Sequence, residues 1–358
     1  MINRDRLVQT FCELVQIDSP SGEEEAAALD LDKRLTELGF KTRRDSYGNL
    51  LASDGGSDPI LLSAHMDTVE PGRGIKPKVE GNRIVSDGTT ILGGDCKAGV
   101  AAILEALTSI REDDTPHLSL EVIFTREEET GLVGARHLDF STIKSKEAIV
   151  FDGEGPPSQI TSASPTYIGF DIEVTGRAAH AGVEPEKGLS AIRIASEIIT
   201  RLPQGRLDDQ TTFNVGTIQG GSVRNAVAEN TIIKGEFRSR NVETLDDVRL
   251  QIAQALNEVR ALYPEAKLDD HLDVQFETYT LTDDDPATNR VKKSLKTLGL
   301  NPVMRPSGGG TDGNVFRLNN ISAVVIGMAD HNMHTVREYV TIPDLVDSAH
   351  LCETIMRR

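Results

Sequence analysis

The sequence predicts an α/β protein. Its main domain has a mainly parallel central sheet flanked by helices, and a smaller α+β domain of ferredoxin-like type is inserted into it. Three observations carry this reading. At 358 residues the chain is too long for one ordinary hydrophobic core, so two domains are expected. Short apolar runs at 59–64 (PILLSA), 118–124, 148–151 and 322–327 (SAVVIG) are bounded by helical patterns, as in a parallel sheet buried on both faces. Between them, residues 166–279 read strand, helix, strand, strand, helix, strand, which is the split βαβ order of a ferredoxin-like unit. The expected division is 1–165 with 280–358 for the main domain, and 166–279 for the insert.

Along the chain, residues 3–17 set Leu7, Phe11 and Leu14 on one helical face, which Ser19-Pro20 ends. Ser21 and Glu24 have capping-box spacing for a second helix, which runs to Leu38 with Gly39 as its stop. Strands follow near 41–45 and 49–52, and then 59–64, which runs into His65-Met66-Asp67. The loop 87–94 (DGTTILGG) delivers Asp95 to the head of a helix extending to about Ile110. Strand 118–124 leads to Glu127, Glu128 and Glu129, and strand 148–151 leads to Asp152-Gly153. In the insert, Ile168, Phe170, Ile172 and Val174 alternate as in a half-buried strand. A helix over 187–202, strands 211–219 and 226–238, a helix around 245–262 and a strand near 272–278 complete the unit. Strand 322–327 precedes His331 and His334, and a helix over 344–356 closes the chain.

The formal charge of −18 argues against nucleic acid and anionic membrane surfaces as partners. No apolar run reaches the roughly 18 residues needed to cross a bilayer. The first helix carries charges throughout and lacks the apolar stretch of a signal peptide, so a cytoplasmic location is expected. Cys12, Cys96 and Cys352 are far apart, which makes neither a disulfide framework nor a CxxC zinc site. Any metal must therefore be held by His, Asp and Glu.

Three adjacent glutamates repel one another, and burying an unpaired carboxylate is costly. A metal ion beside them is the simplest account, with one carboxylate as ligand while a neighbour handles protons. The alternative is a solvated turn after an edge strand. His65, Glu128 or Glu129, Asp152 and His334 each lie just beyond the C-terminal end of an apolar run, and Asp95 opens a helix after a glycine loop. Ligands of open α/β sheets collect at that edge, so these positions are expected to converge there. His65 and Asp67, two apart at a strand end, point the same way, which suits a metal-bound imidazole held by a carboxylate. Taken singly, each signal has an ordinary explanation. Asp95 reads as an N-cap, Asp152 as an Asp-Gly turn and His180 in GRAAHAG as a loop histidine. His331 and His334 have the spacing of a helical ligand pair but lack the glutamate of HExxH. GGGTDG lacks the Lys-Ser/Thr of a P-loop, and reads instead as a close backbone approach to a ligand at Gly309, Gly310 and Thr311.

The order of these motifs is more informative than any one of them. HMD, GGDCKAG, EEETG, a strand-end aspartate, an inserted βαββαβ unit with GRAAHAG, GGGTDG and a late histidine follow one another across the whole chain. The series resembles the M20 family of dinuclear metallopeptidases, and more closely its peptidase T-like branch. The resemblance implies two divalent metal ions, Zn2+ by default with Mn2+ or Co2+ as alternatives. It implies His65 and Asp152 on one ion, Glu129 and His334 on the other, and Asp95 bridging both. Asp67 would orient His65, and Glu128 would be the general base; which glutamate is ligand and which is base follows from the family pattern alone. His180 would reach the scissile carbonyl, in the family typically from the partner subunit, and Asn225 and Arg238 would contact substrate from a lid. A cis peptide is implied at Asp95-Cys96, and a homodimer through the inserted lid domain.

The implied activity is that of a metal-dependent exopeptidase, an aminopeptidase acting on short peptides. The rival readings are an amidohydrolase of the same family (a deacylase or carboxypeptidase) and a non-catalytic metal-dependent peptide-binding protein. The presence of both Asp67 and Glu128 counts against the last. Two departures stand out. EEE replaces the family's DEE, and Gly308 stands where peptidase T proper has an arginine suited to a substrate carboxylate. The second argues against strict tripeptide specificity.

Overall fold

A computed structural model describes residues 1–357. The chain forms two compact units: Met1–Ala163 with Thr280–Ser307 and Thr311–Arg358, and Ser164–Tyr279 with Gly308–Gly310. The second unit thus starts two residues before the stretch drawn from the sequence, and it takes in three glycines of the late loop.

The first unit is built on a sheet whose main strands are β1 (Lys41–Arg44), β2 (Leu50–Ser53), β3 (Ile60–His65), β4 (Leu120–Thr125), β5 (Glu147–Gly153), β6 (Gln159–Ser164), β7 (Val303–Pro306) and β8 (Ser322–Gly327). The spatial order is β1-β2-β4-β3-β5-β8-β6, with β7 beside β6. The central four, β4-β3-β5-β8, are mutually parallel, as the apolar runs predict. The flanks are mixed: β1, β2 and β4 pair antiparallel, as do β8 and β6. Every residue of β3 and β4 is buried, and their register sets His65 opposite Thr125, at the same edge.

Helices α1 (Arg4–Val15), α2 (Glu25–Glu37), α3 (Gly94–Glu112), α4 (Pro286–Thr297), α5 (Asp312–Leu318) and α6 (Ile342–Met356) belong to this unit. The Asn3 side chain caps α1 by accepting from the Asp5 and Arg6 amides. The capping box expected at Ser21 and Glu24 does not form. Glu24 is itself the N-cap residue and makes no side-chain cap bond. The Ser21 hydroxyl donates instead to the charged Asp67 Oδ2 at 2.7 Å, a bond stronger than one to a neutral acceptor. The core gathers Phe11, Leu35, Leu62, Phe124, Phe151, Val324 and Leu345 between sheet and helices.

The second unit has the expected ferredoxin-like order. Its sheet runs Gly205–Arg206, Thr211–Gly220, Asn230–Ser239, Thr166–Thr175, Lys267–Phe276, and all its pairs are antiparallel. Helices Ala191–Ile199 and Val242–Leu262 pack with it around Ile168, Phe170, Ile194, Phe213, Phe237 and Ile252. The last strand begins at Lys267, five residues before the expected start. KLDDH hides it, because an edge strand facing solvent carries charge where a central strand carries valine. Among the described residues, no helix is long and apolar enough to cross a membrane.

Candidate metal centre

Strand ends and one helix start deliver the candidate ligands to a single edge of the first unit's sheet. His65 closes β3 and is buried. Its Nδ1 lies 3.0 Å from the Asp67 carbonyl oxygen. A carbonyl only accepts, so Nδ1 carries a proton and Nε2 is the ring position left for a ligand bond. Nε2 lies 3.1 Å from Asp95 Oδ1 and 3.5 Å from Asp152 Oδ1. The other oxygen of Asp95, Oδ2, lies 3.1 Å from His334 Nε2, and that same nitrogen is 3.0 Å from Glu129 Oε1. Asp95 therefore faces one imidazole with each oxygen. Two groups result, His65–Asp95–Asp152 and Asp95–Glu129–His334, with ligand atoms in each within 4.8 Å of one another.

The chain around Asp95 is built for close approach. Gly93 adopts φ +75°, and a Cβ at Gly94 would fall 2.4 Å from Asp330 Oδ1. Asp95 and Cys96 are not helical, so the regular part of α3 starts after them, and the peptide between them is cis. Cys96 is close enough to count among the metal-binding groups, but its buried thiol donates to the Phe151 carbonyl, and burial pushes the thiol well up. It is a packing residue. Lys97 likewise has a local role, its Nζ donating to the Ile17 carbonyl at 2.7 Å.

The three glutamates separate. Glu127, at φ +48°, accepts from the Tyr47 hydroxyl at 2.9 Å. The other two are held through their backbones by one buried carboxylate: Asp67 Oδ1 accepts from Glu128 N at 3.0 Å and Oδ2 from Glu129 N at 3.2 Å. Despite burial, bonds from His65 and Ser21 and from the Glu128 amide hold the Asp67 carboxyl below its ordinary range. The Glu128 side chain lies close to His65 and Glu129 but does not belong to the His334 group. His331 and His334 are not a helical pair: His331 ends a two-residue strand, and His334 sits in a turn at φ +62°.

The electrostatics fit divalent cations. Among the described residues, the ion pairs of Asp95, Glu129 and Asp152 run only to the two imidazoles. Burial pushes Asp152 up to about 8, the charges of Asp95 and Asp312 adding to it and His65 opposing. Burial and the neighbouring Asp152 push Glu128 well above the carboxylate range. Hydrogen bonds to Asp95 and Glu129 push His334 up to about 10 against its burial. So many buried carboxylates with so little positive charge is the signature of a site whose countercharge is a bound cation.

Two further carboxylates escape sequence reasoning. Glu338, buried, accepts from three backbone amides of the glycine loop: Leu92 and Gly93 through Oε2 at 2.6 and 2.9 Å, and Asp95 through Oε1 at 3.1 Å. Asp312, at the head of α5, accepts from the Thr125 hydroxyl at the end of β4, and its Oδ1 is buried without a partner. No local pattern marks either residue; only the T-D-G triplet draws attention to the second.

The remaining candidates lie elsewhere in the chain. In the second unit, His180 is exposed and bridges to Ala226, and the Ala181 amide donates to the Asn225 carbonyl at 3.0 Å, so His180 and Asn225 are neighbours. Arg238 lies on strand Asn230–Ser239, and the Gly309 carbonyl accepts from Ser164 Oγ at 2.9 Å. A Cβ at Gly310 would fall 2.3 Å from the Phe276 ring. In the first unit, the Thr311 hydroxyl is engaged in the capping box of α5 with Asn314.

The chain matches the Peptidase dimerisation domain of the M20 type over residues 163–264, and Peptidase family M28 over residues 48–164. The uncharacterised protein YqjE of Bacillus subtilis (strain 168) is 36% identical over 367 residues, covering 99% of each chain. Aminopeptidase PepT from Bacillus cereus ATCC 10987 is 36% identical with a TM-score of 0.85, over 99% of this chain and 98% of that one. A tripeptidase from Staphylococcus aureus subsp. aureus Mu50 is 32% identical with a TM-score of 0.89, over the same shares.

Proposed function

Because the chain belongs to the M20 family of metal-dependent peptidases, in its peptidase T-like branch, we propose that it is an aminopeptidase acting on short peptides. The observation that carries this reading is Asp95, each of whose oxygens faces a different imidazole. One cation would be held by His65, Asp152 and Asp95, the other by Glu129, His334 and Asp95, with zinc the default for such donors and manganese or cobalt as alternatives. When bound, the cations supply Lewis-acid chemistry, acidifying water and polarising a carbonyl. Glu128 takes the proton of the attacking water and returns it to the leaving amine. Its burial and its negative neighbours raise its proton affinity, which suits a group that must accept and then release. Asp67 holds the Glu128 and Glu129 amides and faces the ring of His65, so base and ligand stay in one register. His180, Asn225, Arg238, Gly309, Gly310 and Thr311 bind the peptide.

The matched dimerisation domain supports a homodimer formed through the second unit, and three free cysteines suit the reducing cytoplasm. The test is a panel of free di- and tripeptides beside N-acyl amino acids, supplied in turn with zinc, manganese and cobalt and read by mass spectrometry. Release of the N-terminal residue from free peptides is expected. Release of the C-terminal residue, or cleavage of N-acyl amino acids alone, would overturn the aminopeptidase reading. Glu128→Gln should lower turnover at least 10²-fold with metal content unchanged; near-parental turnover would overturn the assignment of the base.

A further inference from the structure

One cluster in the second unit is built around an arginine whose orientation is set on several sides. Strand register puts Arg238 directly across from Tyr167, with Phe276 across from Tyr167 on its other flank. The Arg238 guanidinium carbon lies 4.5 Å from the centroid of the Tyr167 ring. Phe276 meets that ring edge-on at 5.5 Å between centroids, and so fixes the platform beneath the guanidinium. Glu236, two residues from Arg238 and on the same face of the strand, accepts from Nη2 at 2.7 Å and from Nε at 3.1 Å, both through Oε2. Nη1 makes a long contact of 3.4 Å to the Gly308 carbonyl. Both charged side chains keep more than a quarter of their surface exposed, 29% for Arg238 and 27% for Glu236.

An exposed ion pair of this kind contributes little to stability. Its consequence is geometric. A guanidinium is a planar fork that recognises carboxylates bidentately. Here the Nε–Nη2 edge is anchored on Glu236, the face is stacked, and the Nη1 end, with one long bond, faces outward beside the second N–H of Nη2. Gly308 adds no side chain that could compete for that end.

We propose that Glu236 is a positioning residue: with the Tyr167 ring it sets Arg238 to receive a carboxylate of the peptide substrate. The inference rests on the peptidase reading above and extends it to a residue outside the expected site. The test compares peptides with a free C-terminal carboxylate against the same peptides amidated, in the parent, Glu236→Ala and Glu236→Gln. Glu236→Ala should raise KM for the free-acid peptides about tenfold while kcat changes far less. Glu236→Gln, whose amide oxygen still accepts from Nε and Nη2, should recover most of that loss, and amidated peptides should be nearly indifferent to either change. An unchanged or lowered KM for free-acid peptides in Glu236→Ala, or equal changes for acid and amide, would overturn the proposal. Calorimetric binding of the same peptides in the Glu128→Gln background repeats the comparison without turnover. A protein that binds them but never cleaves in the parent background overturns the peptidase reading alone. Equal loss of acid and amide binding in Glu236→Ala overturns the role given to Glu236.

Discussion

Glu338→Gln replaces one carboxylate oxygen by an amide nitrogen at a position where the two oxygens accept from three backbone N–H groups, beside the buried carboxyl of Asp330. If the nitrogen replaced Oε2, it would face the Leu92 and Gly93 amides; if it replaced Oε1, it would face Asp95 alone. The side chain therefore settles the second way, and the Asp95 amide is left buried without an acceptor. An orphaned buried amide costs about 1–3 kcal/mol, and the two bonds that remain lose their charge assistance. In a unit of this size that lowers the melting temperature of the metal-free protein by roughly 2–10 °C. The strain falls on the residue that both ligand groups share, so cation retention should also fall. Loss of a partner that orients a ligand typically weakens binding about 10- to 100-fold. Thermal melts of the metal-free protein and chelator competition on the loaded protein measure the two effects separately. A variant that melts with the parent and holds its cations equally well would refute the view that Glu338 seats Asp95.

Three further outcomes are expected. Asp67→Ala strands the amides of Glu128 and Glu129 and the Ser21 hydroxyl; kcat should fall roughly 10- to 100-fold at saturating metal, and steady-state kinetics that match the parent would exclude the role given to Asp67. Chelation should abolish peptide hydrolysis and zinc should restore it, while far-ultraviolet circular dichroism stays constant because both apolar cores are made of side chains other than the candidate ligands; hydrolysis that survives exhaustive chelation would count against the metal mechanism. Gly310→Ala would bring a methyl group 2.3 Å from a ring carbon of buried Phe276 and should destabilise by about 1–3 kcal/mol, with Phe276→Leu in the same chain recovering part of the loss in urea titrations.

The parts of the fold that are legible in the sequence owe it to burial. The strands β3, β4, β5 and β8 are buried nearly throughout, so they appear as unbroken apolar runs, and the residues just past the end of each run land at one edge. His65, Asp152 and the glutamates are placed that way. The edge strand Lys267–Phe276 is not legible to its first residue, because its solvent side carries Asp269, Asp270 and His271. The late histidine is legible in place but not in form: the spacing of His331 and His334 suits a helix, whereas a positive φ at Asn332 and at His334 makes the segment a series of turns.

Glu338 is hidden for a different reason. It serves backbone amides some 243 to 246 positions away in the chain, and an acceptor for backbone amides needs no partner side chain that a motif could display. The division of labour proposed for Glu128 and Glu129 belongs to the same class. Side-chain chemistry is identical at the two positions, so no local pattern separates base from ligand. The residue that holds both in place is Asp67, whose two oxygens accept from the two successive amides while its own carbonyl accepts from His65 Nδ1–H. Glu129 then meets His334, and Glu128 is left close to His65 with a raised proton affinity. One aspartate, identified from the sequence only as a support for a histidine, thus also sets the register of the loop that carries both glutamates.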